Sequence, residues 1–366
     1  MSAPLLKNLI DAAFIQRLGE ACQERHPSFE PERFLAAVLD KNYPALELKG
    51  RIRHVASMLY QELALPFDQA CAVLKPVSSQ FPGIPGFVFP EVIEQFGLDH
   101  PEVALESLGH FTQFSTSEFA IRPFICRYPE FTLAQLMRWA RSDNHHLRRL
   151  ASEGCRPRLP WGQALTQFKQ DPTPLLPILE QLKQDSSDYV RRSVANHLND
   201  ISKDQPQLML EICQRWFGEH PDTDWIIKHA LRGLLKQRHP VALQLFGYQP
   251  VAVQTQLELA KNSVAMGERL HFSLKLQLTA AQQGKLRLEY AIDFASKTGK
   301  ARHKVFQWLE RVVNEPELVI QRSYQFKDLT TRKHYPGEHR LSIIVNGQVV
   351  TSQTFMVVGN DDSLAS

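Results

Sequence analysis

The hydrophobic periodicity of the chain changes once, near residue 248, and a single fold class does not accommodate both patterns. Before this point apolar residues recur every three or four positions, as in RIRHVASMLYQEL at 51–63 and FTLAQLMRWA at 131–140, which predicts short helices. After it they alternate with polar residues, as in RLHFSLKLQL at 269–278, which predicts strands. At 366 residues the chain also exceeds the usual size of one hydrophobic core. We therefore expect two domains, a helical one at 1–248 and a β domain at 249–360.

The helical part contains an internal repeat. LRRLASEG begins at Leu147 and VRRSVANH begins at Val190, so that their Arg-Arg pairs lie 43 residues apart. A weaker third copy, IIKHALRGLL, places Lys228 36 residues after Arg192. Two-helix units that repeat every 40–47 residues or so are typical of HEAT and armadillo proteins, which stack into a solenoid with an extended concave face. The sequence therefore predicts an all-α HEAT-like repeat solenoid.

The β part has the pattern of a small sandwich. Further alternating stretches are VQTQLEL at 253–259, KLRLEYAIDF at 285–294, LVIQRSYQF at 318–326 and HRLSIIV at 339–345. Asn346-Gly347, between SIIV and QVVTSQTFMVV, is a strong hairpin signal. Roughly seven strands in about 110 residues predict an all-β Ig-like sandwich, although the Cys–Trp–Cys hallmark of antibody domains is absent.

Several classes of protein have little support. The chain lacks an apolar stretch of about 18 residues and the charged and apolar regions of a signal peptide, so we expect a cytoplasmic protein with no membrane partner. Five scattered cysteines without a C-x-x-C pair argue against a disulfide framework and a zinc site. The chain has no H-E-x-x-H motif, and the adjacent His145 and His146 are expected to point apart on a helix. We therefore expect neither a metal nor a cofactor, and a metal-dependent hydrolase is a distant alternative.

The repeated helices carry corresponding polar stripes. Helical spacing groups Arg149, Ser152, Glu153 and Arg156 in the first copy, Arg192, Asn196, Asn199 and Lys203 in the second, and Lys228, Arg232 and Lys236 in the third. A charged stripe on one helix is usually its solvated face. Three stacked stripes with Arg or Lys in corresponding places instead predict a surface that holds nucleic-acid phosphates. The candidate DNA-binding residues are Arg148, Arg149, Arg156, Arg192, Asn196, Lys203, Lys228 and Arg232.

A few acidic and aromatic residues lie among these basic residues. They are the candidate catalytic residues: Glu118, Glu153, Trp161 and Asp200. Each has a structural alternative. Glu118 is spaced to pair with Arg122 and Glu153 to pair with Arg149, one helical turn away, and Trp161 can cap a helix hydrophobically. Acidic residues inside a basic groove repel phosphate, so their presence makes better sense if the substrate is a cation.

Three segments together resemble a known family: WARSDNHHLRRLASEGCRPRLPW at 139–161, DYVRRSVANHLNDISKDQP at 188–206 and DWIIKHALRGLLK at 224–236. They are similar to the bacterial AlkC/AlkD superfamily of alkylpurine DNA glycosylases. The most specific segment, SVANHLNDISK, indicates the AlkC branch, in which one subgroup carries a C-terminal Ig-like domain. YAIDF, KVF and the VNG hairpin before TFMVV resemble that domain.

The resemblance implies a monomeric, metal-independent enzyme that excises N3-methyladenine, and in AlkC-like members N3-methylcytosine, from double-stranded DNA containing alkylated bases. By position, Glu118, Glu153, Trp161 and Asp200 match the acidic and aromatic active-site residues, while Arg149 and Arg192 match residues that hold the DNA backbone. AlkD-type enzymes have a Trp where this chain has His145-His146, so one aromatic wall of the site is either missing or supplied elsewhere. A non-enzymatic HEAT-repeat scaffold that binds nucleic acid or protein explains the stripes equally well, but it does not explain the carboxylates among them.

Overall fold

The computed structural model describes residues 5–251, 253–279, 284–297, 299–328 and 333–359. The chain divides into two compact units, at Met1–Ala230 and Leu231–Ser366. Secondary structure changes from helix to strand between Leu245 and Gln254, as the periodicity predicts. The domain boundary after residue 248 stays a prediction. Among the described residues, the structure has no helix that is long and apolar enough to span a bilayer.

The first unit is helical throughout its described part. Its α-helices are α1 (Ala12–Arg25), α2 (Pro31–Val38), α3 (Leu48–Leu63), α4 (Phe67–Ser78), α5 (Val88–Phe96), α6 (Pro101–Phe111), α7 (Arg122–Arg127), α8 (Pro129–Ala140), α9 (His145–Glu153), α10 (Thr166–Gln170), α11 (Leu176–Leu182), α12 (Asp188–Asp204), α13 (Pro206–Trp216) and α14 (Pro221–Ala230). Short 3-10 turns at Leu6–Leu9, Tyr43–Ala45, Pro85–Phe87 and Thr173–Leu175 join some of them.

Local sequence explains where the helices begin. Several start with proline, including α8 at Pro129 and α13 at Pro206, because proline lacks the N–H that the first helical turn leaves without a partner. The first repeated helix, α9, is capped by Asn144, whose side chain accepts a hydrogen bond from the His146 amide at 2.9 Å. Polar caps and prolines therefore divide the helical part into short elements.

The repeated helices pack side by side, with α12 against both α9 and α14. The predicted core stripe of α12 is buried, since Val190, Val194 and Leu198 are 0 % exposed. The same holds for Leu150 in α9 and Ile226 in α14. Burial of such aliphatic side chains contributes about 1.5–3 kcal/mol each, and it fixes which side of each helix carries the polar residues.

The third repeat differs from the predicted continuous helix. The i, i+4, i+8 spacing of Lys228, Arg232 and Lys236 assumes one helix, but α14 ends at Ala230 and a new helix, α15 (Arg232–Lys236), follows. The side chain of Asn199 donates to the Ala230 carbonyl at 2.8 Å and so satisfies a backbone acceptor at the helix end. The prediction that one helix carries Lys228, Arg232 and Lys236 is therefore wrong.

The second unit continues from α15 with α16 (Pro240–Leu245) and a β-sandwich. Its strands are β1 (Gln254–Leu259), β2 (Ser263–Ala265), β3 (Arg269–Gln277), β4 (Gly284–Phe294), β5 (Arg302–Val313), β6 (Glu317–Gln325), β7 (Gly337–Val345) and β8 (Gln348–Val358). One sheet has the order β1-β3-β6 and the other β2-β8-β7-β4-β5. All described pairings are antiparallel except that of β2 with β8.

The sandwich core comes from the alternating positions that the sequence indicates. In β3, Leu270, Phe272 and Leu274 are buried while the residues between them are not. The Asn346-Gly347 hairpin joins β7 to β8, with φ of 45° and 86° at its two central residues, which are the left-handed values of a type I′ turn. β5 was missed because it is an edge strand with mostly half-buried or exposed positions and has no clean alternation.

Candidate active site

The three candidate catalytic carboxylates converge although they come from separate elements. Glu118 lies in the turn before α7, Glu153 is the last residue of α9, and Asp200 lies in the C-terminal half of α12. The three residues are 8 %, 6 % and 1 % exposed. Packing of α9 on α12 brings Glu153 and Asp200 to the same place.

Two arginines link these carboxylates into one chain of ion pairs. This ion-pair network runs Glu118, Arg149, Glu153, Arg156, Asp200, Lys203. Arg149 contacts the Glu118 carboxylate through Nη1, and its Nη2 lies 3.5 Å from Oε1 of Glu153. Arg156 donates from Nη1 to Glu153 Oε1 at 2.6 Å and from Nε to Asp200 Oδ2 at 2.9 Å. Lys203 is the last member of the network, and its Nζ lies 3.0 Å from Asp200 Oδ1.

The buried part of this network has an excess of negative charge. Its three carboxylates pair directly with two guanidiniums, whose side chains are only 14 % and 9 % exposed, while the buried guanidinium of Arg122 acts on Asp200 at longer range. The third cation, Lys203, has a side chain that is 51 % exposed, so water screens its charge. A buried charge without a full counterion is costly. The network is therefore electrostatically suited to a positively charged ligand.

Two hydroxyl groups hold the carboxylates in place. Ser193 Oγ donates to Glu153 Oε2 at 2.6 Å. Thr116 Oγ1 donates to Glu118 Oε2 at 2.9 Å and accepts from Arg149 Nη1 at 2.8 Å. Sequence reasoning missed both residues, because a single serine or threonine gives no signal of its own.

The neighbouring carboxylates also keep the Arg156 guanidinium protonated. Burial alone lowers the pKa of this guanidinium, but Glu153 and Asp200 outweigh burial, so the pKa is raised above its ordinary value. Arg156 consequently stays charged and orients both carboxylates.

A neutral histidine joins the two repeat helices beside Glu153. His197 is fully buried in α12 and its Nδ1 lies 2.9 Å from the Ser152 carbonyl oxygen of α9. Since a carbonyl only accepts, Nδ1 carries the proton. Burial lowers the pKa of His197 to about 4, so the ring is uncharged at neutral pH and contributes a fixed hydrogen bond.

Trp161 lies apart from the ion-pair network, on a neighbouring cleft. Its side chain is 66 % exposed and its backbone is left-handed, with φ of 66°. Its carbonyl accepts a hydrogen bond from Lys49 Nζ. The cleft, of about 160 Å³, is also lined by Phe119 and Thr116. Because Thr116 contacts Glu118 as well, the cleft adjoins the network.

The candidate DNA-binding arginines of the first repeat make internal contacts. Arg148 forms a two-point ion pair with Asp185, at 2.6 Å and 3.0 Å, and its Nη1 donates to the backbone carbonyls of Ser142 and Asp143. Arg149 and Arg156 belong to the ion-pair network. Each of the three side chains thus already donates to protein acceptors.

The later repeats place their cations nearer to solvent. The Arg192 side chain is 66 % exposed and pairs with Asp188 at 2.8 Å. Lys203 and Lys228 are exposed as well, and Asn196 is half-buried. Arg232 belongs to the second compact unit. Exposure therefore separates cations that face solvent from cations that hold the protein together.

Two expected local geometries are wrong. Glu118 does not pair with Arg122 along a helix, because α7 begins only at Arg122, whose buried guanidinium donates to the backbone carbonyls of Gln163, Gly154 and Arg156. The His145 and His146 rings do not point apart, since their centroids are 4.3 Å from each other. His145 is the first residue of α9, where side chains follow the helical spacing least strictly.

Comparison with known proteins covers both units. Residues 112–234 match the family described as DNA alkylation repair enzyme, and residues 253–359 match the C-terminal Ig-like domain of the uncharacterised protein YhaZ. YhaZ of Bacillus subtilis is 45% identical over 355 residues, which are 96% of this chain and 99% of that protein.

A solved structure resembles the whole chain as well. The alkylpurine DNA glycosylase AlkC of Pseudomonas fluorescens, bound to DNA containing an abasic site analog, matches with a TM-score of 0.89 and 36% identity, over 97% of this chain and 100% of that one. The predicted fold class, an all-α HEAT-like repeat domain followed by an all-β Ig-like sandwich, is confirmed.

Proposed function

The chain belongs to the AlkC branch of DNA alkylation repair enzymes, the branch with a C-terminal Ig-like domain, and from this premise we propose that it is a DNA glycosylase for cationic alkylated bases. The proposed substrates are N3-methyladenine and N3-methylcytosine in double-stranded DNA. The proposed reaction hydrolyses the N-glycosidic bond, with a monomeric enzyme and without a metal, as the first step of base excision repair.

The observation that carries this proposal is the excess negative charge of the ion-pair network. Glu118, Glu153 and Asp200 are buried together and are in direct ion pairs with two buried guanidiniums, those of Arg149 and Arg156. An undamaged base is neutral and gains little from this charge, whereas a base methylated at N3 is a cation. The same charge also favours the sugar once it becomes cationic during bond cleavage.

The chemistry requires little proton transfer to the leaving group. When the glycosidic bond breaks, its electron pair goes to the methylated base, which leaves as a neutral molecule. The sugar becomes an oxocarbenium ion, and water then adds at C1′ and loses a proton. We assign Glu153 and Asp200 the role of stabilising the oxocarbenium ion and orienting this water. Glu118 and Trp161 shape the site, and an exposed Trp face adds a cation–π attraction of about 0.5–2 kcal/mol.

The arginines divide into two roles in this proposal. Arg149 and Arg156 position the carboxylates. Arg148 joins the loop before α9, through the Ser142 and Asp143 carbonyls, to the turn before α12, through the Asp185 carboxylate. We assign the phosphate contacts to the solvent-facing residues Arg192, Lys203 and Lys228, with Asn196 and Arg232 as further candidates.

Release of free base from methylated DNA tests the proposal. Chromatography of the bases released by the wild-type protein, with a chelator present, should show 3-methyladenine or 3-methylcytosine. Asp200→Asn should reduce release by about a hundredfold, since oxyanion-type electrostatic contacts are worth about 2.7–4 kcal/mol. The matched control is Asp204→Asn, one turn further along α12, where Asp204 pairs with Arg158 at 2.5 Å near the surface. DNA binding without release of any base would instead establish a non-enzymatic scaffold.

A further inference from the structure

One pattern in the repeats is left unused by the proposed chemistry. In each of three successive copies an aromatic residue lies three residues before a cation. These pairs are His146 with Arg149, Tyr189 with Arg192, and Trp225 with Lys228. Residues three apart on a helix are neighbours on its surface. We call His146, Tyr189 and Trp225 the aromatic row.

The aromatic row lies on helices that pack consecutively, since α12 contacts both α9 and α14. Tyr189 is 43 % exposed and Trp225 is 39 % exposed, so both rings offer surface to a ligand. The Tyr189 ring lies 6.0 Å from the His146 ring. The row is therefore continuous between the first and second repeats.

Tyr189 also connects the row to the ion-pair network. The Arg149 guanidinium lies 5.1 Å from the centroid of the Tyr189 ring, within cation–π distance. Tyr189 and the histidine pair thus form an aromatic wall beside Arg149, Glu118 and Glu153. Trp225 lies outside the network, stacked at 5.3 Å on His229 of its own helix.

Aromatic faces and cations that alternate along a surface suit one kind of DNA in particular. Cations bind phosphates of any strand, paired or not. Flat aromatic faces gain from bases only when those bases leave the helical stack, and each base that stacks on such a face contributes about 1–3 kcal/mol. A fully paired duplex offers no such bases, whereas a strand that has opened at a lesion does.

We propose that the aromatic row binds the opened strand next to the lesion, with Tyr189 and Trp225 stacking on unpaired bases while the neighbouring cations hold the phosphates. This proposal rests on the proposed function, because it takes damaged DNA as the ligand.

Binding to two undamaged DNA probes tests the proposal. One probe is a fully paired duplex and the other is the same duplex with a central mismatched bubble. Fluorescence anisotropy gives the dissociation constant of each, and their ratio measures the preference for opened DNA. We expect the wild-type protein to prefer the bubble, and Trp225→Leu and Tyr189→Leu each to reduce that preference by about five- to tenfold.

The controls separate stacking from structural damage. Tyr189→Phe keeps the ring and should keep the preference. Phe131→Leu removes another helical aromatic that is 39 % exposed but has Ala134 three residues later, so it should leave the ratio unchanged. Equal affinity of the wild-type protein for both probes, or an unchanged ratio in the Trp225 and Tyr189 variants, overturns the proposal.

This test is independent of base excision. If the wild-type protein releases no methylated base but loses its bubble preference in Trp225→Leu, the aromatic row stands and the glycosylase proposal fails. If base is released normally while the ratio does not respond to either leucine variant, the row fails and the glycosylase proposal stands.

Discussion

Replacing Glu153 with glutamine removes one charge from the centre of the ion-pair network with almost no change in shape. The glutamine oxygen can still accept from Arg156, and its amide can donate to the Ser193 hydroxyl, which now accepts instead of donating. The three carboxylates become two, matched against two buried guanidiniums. The excess negative charge on which the proposed mechanism depends is thereby cancelled.

The expected loss of activity follows from this charge. The Glu153 side chain is 7 % exposed, so its interaction with a cation is that of a group near or below the protein surface. At about 4 Å and an effective dielectric constant of about 20, that interaction is worth about 4 kcal/mol. Incomplete alignment with the sugar reduces the figure to about 3 kcal/mol, which corresponds to a loss of roughly two orders of magnitude in rate.

Folding should be affected much less. The variant keeps both hydrogen-bonding partners of Glu153, and Arg156 retains Asp200 as its counterion. Loss of one charge-assisted hydrogen bond costs about 1.5–3 kcal/mol, which lowers the unfolding midpoint without preventing folding. Urea unfolding should therefore show a folded variant, and its affinity for DNA should be equal to that of the wild type or higher, since one charge that repels phosphate is gone.

Single-turnover release of 3-methyladenine, followed by chromatography, measures the rate. Glu180→Gln is the matched control, because Glu180 accepts from Lys183 at 2.6 Å and from Trp216 at 2.7 Å but lies outside the network, in α11. Its rate should stay within about twofold of the wild type. A Glu153→Gln protein that is folded and retains more than about a third of the wild-type rate refutes the charge argument.

Three further predictions concern single residues. Arg192→Ala should make the decrease of log K with log salt less steep by about 0.9, the value for one phosphate contact; anisotropy titrations from low to high salt measure it, and an identical slope rejects the contact. Trp161→Gly should lower base release by about two- to thirtyfold without lowering the thermal midpoint, because the side chain is mostly exposed and glycine tolerates the φ of 66°; a lower midpoint with full activity contradicts this role. His197, with its pKa lowered to about 4, stays neutral in the native state while the unfolded chain takes up a proton. Stability should therefore fall by about 2 kcal/mol between pH 7 and pH 5, and urea unfolding of His197→Asn should show that this component is missing.

Periodicity predicted the features that depend on neighbours along the chain. The buried stripe Val190, Val194 and Leu198 follows from spacing alone, as does the hairpin at Asn346-Gly347. The prediction of one continuous helix in the third repeat was wrong, because residue spacing does not reveal where a helix ends. Leu231 has φ of −80° and ψ of 2°, and it interrupts a pattern that otherwise reads as one helix.

The convergence of the carboxylates could not be predicted from spacing, because each contact joins distant segments. Glu118 meets Arg149 across 31 residues, and Arg156 meets Asp200 across 44 residues. The resemblance to the family suggested the residues, but the contacts needed the packing of α9 on α12. The alternative partner of Glu153, Arg149, is present as well. The structural interpretation of this pair therefore holds, and the catalytic one stays a prediction.

Burial resolves a conflict that the sequence leaves open, namely why the proposed DNA-binding surface contains acidic residues. An exposed carboxylate without a paired cation would repel phosphates and weaken binding. Asp188, which is exposed beside Arg192, is paired with it at 2.8 Å. Buried carboxylates that are held by Arg149 and Arg156 act at short range, because solvent and salt screen them from a phosphate that stays at the surface. Arginine therefore has two roles in the proposed function, and the burial of its side chain decides which one. In the proposed function, an exposed arginine binds the DNA backbone, whereas a buried arginine orients a carboxylate toward the positive charge of the damaged nucleotide.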